Sequence, residues 1–168
     1  SPIDVIEEYT RPARLKTNGS IVTKPALTDR EMIYFDGVGV LEAFNTDGLR
    51  TLLFTMEHVP TQIEKTLRYP GHVELILALQ QSGFFSKKKI TVDDKEISPL
   101  AFTSNLLINE WKLGEKEEEL TVMKVLLHGE GTTVEYNLLD FYDSGSNTSS
   151  MARSTGYTCT ACVNLVAK

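Results

Sequence analysis

The sequence predicts an α+β fold, a mixed and largely antiparallel sheet with helices packed on it. Three observations carry that reading. Asn18-Gly19 sits between two short strand-like runs, Ala13–Lys16 and Ile21–Lys24, as the turn of a type I′ hairpin does. Leu120–His128 and Thr132–Tyr142 flank Gly129-Glu130-Gly131 as the clearest strand signals, the second setting Val134, Tyr136 and Leu138 against Glu135 and Asn137. Between these hairpins lie stretches at helical spacing, the clearest opening on Ser98-Pro99 as N-cap and first helical position. At 168 residues the chain reads as a single domain over 1–168, large enough to hide roughly 70% of its unfolded surface.

From the N-terminus, Ile3, Val5, Ile6 and Tyr9 space as a short amphipathic helix, broken by Pro12. The Asn18-Gly19 hairpin follows. Residues 38–44 read as a strand, and Asn45-Thr46-Asp47-Gly48 as a turn into a helix over 48–56. A strand over 61–68 ends in Arg68-Tyr69-Pro70-Gly71-His72. Val73, Ile76, Leu77 and Gln80 then share one helical face that Leu75 and Leu79 widen, so this helix is expected to be buried nearly all round. Ile90–Ile97, with Asp93-Asp94 at its centre, predicts a small surface hairpin, and the Ser98-Pro99 helix runs to about Leu113. Glu115–Glu119 is a charge run expected in a solvated loop. In Leu120–His128 both alternating faces are apolar, which predicts an interior strand covered on both sides. A last helix begins near Ser149.

Composition narrows the function classes. Hydrophobic residues make up 41% and charged residues 24%, as in ordinary soluble proteins. No apolar run approaches the ~20 residues of a membrane span, and Ser-Pro-Ile-Asp is no secretory leader. A net charge of −6 argues against a nucleic-acid partner, since phosphate neutralisation wants a basic face. Two cysteines form no disulfide framework, so a reducing cytoplasm is expected. There is no initiator methionine and no stop signal after Val163–Lys168, so the chain is expected to be a domain excised from a longer protein.

The sequence offers little cofactor chemistry of its own. Gly37-x-Gly39 lacks a third glycine and precedes its strand, unlike a phosphate loop. His58, His72 and His128 make no metal spacing. Cys159-x-x-Cys162 lies in an apolar helical run and is expected to be a pair of buried thiols. Three stretches offer more. Glu42–Arg50 brings Asn45, Thr46 and Asp47 to a turn before a helix, with Arg50 beside them, which suits a carboxylate ligand, or Asn45 or Thr46 simply caps the helix. Arg68 sits at a strand end before a sharp turn, where its fork can take a carboxylate or pair with a surface acid. Ser150–Tyr157, with Arg153, Ser154, Thr155 and Gly156, offers hydroxyls and an arginine at a helix start, as an anion site or as capping. If the three junctions share one sheet edge, they form a pocket for an anionic, amino-acid-like ligand.

Glu8–Ala13, Leu41–Leu49, Thr66–His72 and Met151–Tyr157, taken in order, resemble the saccharopine dehydrogenase family, closest to its bacterial, lysine 6-dehydrogenase-like branch. The resemblance covers essentially the whole chain and concerns the second, α+β domain, which in that family follows an N-terminal Rossmann domain for NAD(P), holds substrate and builds the dimer contact. It implies a full-length enzyme that transfers hydride at a carbon–nitrogen bond of an amino acid such as lysine or saccharopine. It also implies NAD or NADP bound outside this chain, no cofactor or metal within it, a homodimer, and no membrane partner. By the same resemblance Arg68 is the leading substrate-carboxylate ligand with Asn45 and Thr46 beside it, and Arg153 and Thr155 lie near the domain junction. His72 and Tyr69 are candidates for the general base. Saccharopine-type members read Asn-Arg-Asp-Ser where this chain has Asn45-Thr46-Asp47-Gly48. The alternative is a non-catalytic domain that binds an amino acid or mediates assembly.

Overall fold

Turn chemistry sets the first elements. The computed structural model describes residues 2–114 and 117–167. Helix α1 (Pro2–Thr10) stops before Pro12. Strand β1 (Ala13–Thr17) then returns as β2 (Ser20–Lys24) through Asn18 and Gly19, whose φ of 49° and 81° are those of a type I′ turn. A three-stranded antiparallel sheet follows, in the order β3 (Glu31–Phe35), β4 (Gly39–Asn45), β5 (Lys65–Arg68). Its register sets Glu42 opposite Arg68 and Phe44 opposite Thr66. Helix α2 (Leu52–Thr55) is one turn long, and α3 (His72–Gln81) starts after Gly71, whose φ of 94° demands glycine. The small hairpin β6 (Ile90–Val92) and β7 (Lys95–Ile97) turns on Asp93 and Asp94, both at positive φ. Ser98 caps α4 (Pro99–Glu110), its Oγ accepting from the Ala101 amide at 3.3 Å.

The chain divides into two compact units, residues 1–112 and 113–168. The core of the first joins Ile6 and Tyr9 of α1, Phe44 of β4, and Val73 and Ile76 of α3 with Leu27 and Phe85. Leu100 and Leu107 of α4 pack against it. A smaller cluster of Leu15, Leu49 and Leu53 seats the one-turn helix on the first hairpin. The second unit is a long hairpin, β8 (Leu120–Gly129) and β9 (Thr132–Phe141), with α5 (Ser150–Val166) beside it. Among the described residues no helix is long and apolar enough to cross a membrane.

Several expectations need correction. The helix over 48–56 shrinks to α2 because Arg50 is left-handed, at φ 45°, and no helix passes through that conformation. The strand over 61–68 is regular only from Lys65; Gln62 bridges to Lys16, and the chain leaves the ladder at Ile63 and Glu64. Helix α3 buries one face, Val73 and Ile76, and leaves Leu75 68% exposed. β8 has β9 as its single strand neighbour and shows apolar side chains on both faces, with Met123 and Leu126 about half exposed. Cys159 and Cys162 are free and exposed on α5, not buried. Of the charge run, 115 and 116 lie outside the described residues. β3 is an element the sequence pattern does not announce, since Met32, Ile33, Tyr34 and Phe35 are apolar without alternation.

Phe44 is fully buried where β4 meets both helices. Phe44→Ala is expected to cost about 3–5 kcal/mol, the scale of a large core truncation. Urea denaturation measures it, and a loss below about 1 kcal/mol would place Phe44 outside the core.

Candidate functional site

The turn after β4 gathers the polar groups. From Leu41 to Asp47 every residue is buried, so each polar side chain in that run needs a partner. Asn45 donates from Nδ2 to Thr28 Oγ1 at 3.2 Å and to Asp29 Oδ2 at 2.9 Å. Thr46 donates from Oγ1 to the Glu64 carboxylate, 2.7 Å to its nearer oxygen, and lies 2.8 Å from Thr66 Oγ1. Asp47 takes a two-pronged bond from Arg14, Nε to Oδ1 at 2.9 Å and Nη2 to Oδ2 at 2.8 Å, with the Arg14 amide adding a third. That guanidinium holds the Asp47 carboxyl below the usual carboxylate range.

Gly48 completes the turn. Its amide donates to Glu64 Oε2 at 2.9 Å. A Cβ at position 48 would collide with the Glu64 carboxyl group, so the carboxylate seats only against glycine. Together these residues floor a cleft of about 90 Å³, walled on one side by Glu7 and Glu8 of α1 with Arg11 just after it, and on the other by Glu64 and Thr66. Arg50 lines it as well. A larger open hollow, about 620 Å³, lies under the loop at 23–28 and is mainly apolar, lined by Pro12, Pro25, Ala26, Leu27 and Leu77 among others.

Arg68 stands behind the α1 wall. Its Nη2 donates to Glu8 Oε2 at 3.0 Å, its Nε to Tyr9 Oη at 3.3 Å, and its Nη1 to the Leu67 carbonyl at 2.9 Å. Tyr9 Oη lies 2.9 Å from His72 Nε2. Because Arg68 already donates to the phenol oxygen, the phenol hydrogen is free for a neutral imidazole. Trp111 closes the group, edge-on to Tyr9 with centroids 6.3 Å apart. Glu42, opposite Arg68 on β4, is fully buried and pairs with Arg30, while its Oε2 has no hydrogen-bond partner among the described residues.

The sequence-derived candidates therefore sort by place. Thr46 lines the cleft, Arg68 braces its wall, and His72 is joined to Arg68 through Tyr9. Asn45 points away, into the loop at 28–29. Tyr69 is 62% exposed. Arg153 and Thr155 belong to the second unit, on α5; Arg153 pairs with Asp140 at 3.2 Å and donates to the Phe141 carbonyl, and Thr155 is exposed. Sequence reasoning missed Glu64, which sits inside an expected strand. It also missed Tyr9 and Glu42, which read as ordinary helix and strand residues. Arg50 is the arginine of the Glu42–Arg50 stretch singled out from sequence, though the sequence attaches no specific role to it.

The chain has relatives. A family model described as the saccharopine dehydrogenase C-terminal domain matches residues 1–168. The chain belongs to that family. Its fold is shared with the apo histidine-tagged saccharopine dehydrogenase (L-Glu forming) from Saccharomyces cerevisiae, at TM-score 0.69 and 19% identity, over 94% of this chain and 50% of that one. The chain thus spans half the length of that relative.

In this saccharopine dehydrogenase C-terminal domain, burial lowers the pKa of His72, the Arg68 charge lowers it further, and Glu42 opposes both. The folded protein then binds the His72 proton less readily than the unfolded chain, whose pKa is about 6.5. The stabilisation is whole above that value and is lost as pH falls through it toward the lower folded pKa. The urea midpoint is expected to fall between about pH 7.5 and 5.5, and His72→Gln to flatten that slope. A wild-type midpoint constant over the interval contradicts the assignment.

Proposed function

We propose that this chain is the substrate-binding half of an NAD(P)-dependent oxidoreductase acting at the carbon–nitrogen bond of an amino acid such as saccharopine or lysine. The observation that carries the reading is the polar cleft at the end of β4, in a chain whose whole length matches one family. The cleft is small, charged and walled by groups of both signs, which suits the polar end of an amino acid. The nucleotide is assigned to a Rossmann domain outside this chain. Gly37 and Gly39 do not fit one, because they lie in the β3–β4 turn and lead into no helix. A homodimer and a cytoplasmic setting belong to the same proposal; free cysteines suit a reducing compartment.

Within that enzyme Arg68 acts by position. Its guanidinium ties Glu8 and Tyr9 of α1 to the end of β5 and so fixes the wall of the cleft. His72 remains the group able to take a proton, held neutral beside Tyr9. Arg68→Ala in the full-length protein is expected to lower kcat/KM by about 100-fold, the scale of lost positioning. An effect below threefold would remove Arg68 from the site. The reading as a whole is tested by following reduced-nicotinamide absorbance with lysine, saccharopine and related diamines, each with NAD and NADP. Turnover with one of them supports it. Absence of turnover with all, from protein that binds the nucleotide, points instead to a domain that binds an amino acid or assembles without catalysing.

A further inference from the structure

The charges lining the cleft do not all cancel. Glu7 pairs with Arg11, Glu8 with Arg68, and Asp47 with Arg14. Two groups remain. The Glu64 carboxylate accepts from Thr46 and from the Gly48 amide but meets no cation, and the Arg50 guanidinium meets no acceptor, among the described residues. They carry opposite signs, line the same cleft of about 90 Å³, and do not pair with each other.

We infer that Glu64 and Arg50 are the two poles of a site for the zwitterionic head of an α-amino acid, Glu64 taking the ammonium and Arg50 the carboxylate. The inference rests on the reading above that the ligand is an amino acid. Each pole is suited to its part. Glu64 is aimed before any ligand arrives, held by one hydroxyl and one backbone amide against a glycine that leaves it room. A carboxylate so fixed has no rotamer freedom to lose on meeting an ammonium. Arg50 keeps its planar fork free, and a fork of two parallel N–H groups matches a carboxylate. Arg50 also holds a left-handed backbone, φ 45°, which a non-glycine residue adopts at a cost. Arg68, whose three nitrogens already donate within the protein, braces the wall beside this couple.

Calorimetric titration of the full-length protein tests the assignment, with L-lysine, L-saccharopine and 1,5-diaminopentane as probes. The diamine keeps the ammonium and lacks the carboxylate. Wild type is expected to bind at least one of the two amino acids. Arg50→Gln is expected to weaken that binding about 10- to 100-fold, the scale of a charge-assisted pair, and to leave the diamine unchanged. Glu64→Gln keeps an acceptor for Thr46 and Gly48 and is expected to weaken amino acid and diamine alike. Arg50→Gly is expected to raise Tm while losing the amino acid, a combination that a purely structural arginine does not give. Amino-acid affinity within twofold of wild type in either glutamine variant overturns the site, as does a wild type that binds neither amino acid. If the variants bind normally while the enzyme still turns over an amino acid, the head-group site is wrong and the oxidoreductase reading stands. If the couple binds amino acids and no nicotinamide-linked turnover follows, the reverse holds.

Discussion

Strand β4 imposes the constraint that the first unit answers. Seven consecutive residues, Leu41 to Asp47, are withdrawn from water, and four of them are polar or charged. A buried polar group without a partner is costly, and a buried charge more so. Each therefore draws another segment to it: Arg30 to Glu42, the loop at 28–29 to Asn45, Glu64 to Thr46, and Arg14 to Asp47. Those segments come from the first hairpin, the strand edges and the chain before β5. The apolar side of the same strand, Phe44, meets α1 and α3. One strand thus organises both the core and the rim of the cleft.

The parts legible from sequence were those that local chemistry decides. Asn18-Gly19 can turn left-handed, Ser98 and Ser149 can cap, and Gly71 can open a helix where other residues strain, so hairpins and helix starts were placed close to where they lie. Long-range electrostatics was not legible. Glu64 looks like a solvent-facing residue in a strand until the chain is seen to leave the ladder before Lys65. Arg68 was recognisable as important, yet its engagement by α1 depends on residues sixty positions away. Tyr9 has the spacing of a core aromatic and is one, but its hydroxyl also links Arg68 to His72.

The second unit shows the limit of reading burial from periodicity. Apolar side chains on both faces of Leu120–Gly129 state a demand for cover, and periodicity contains no term for what supplies it. In the hairpin β8–β9 each strand pairs along one edge with the other, while Met123, Leu126, Leu127, Tyr136 and Phe141 remain in reach of solvent. The same holds for α5, where Tyr157, Val163 and Leu165 are exposed and Ser150 alone is buried.

The fit of Glu64 against Gly48 links two positions sixteen residues apart. A Cβ at 48 would displace the Glu64 carboxylate from this seat by a turn of its flexible side chain, and a carboxylate without the Thr46 hydroxyl keeps only the Gly48 amide as anchor. Positions 46, 48 and 64 together set the place of one negative charge. A side chain added at position 48 would therefore turn the end of Glu64 out of this seat and move a negative charge within the cleft.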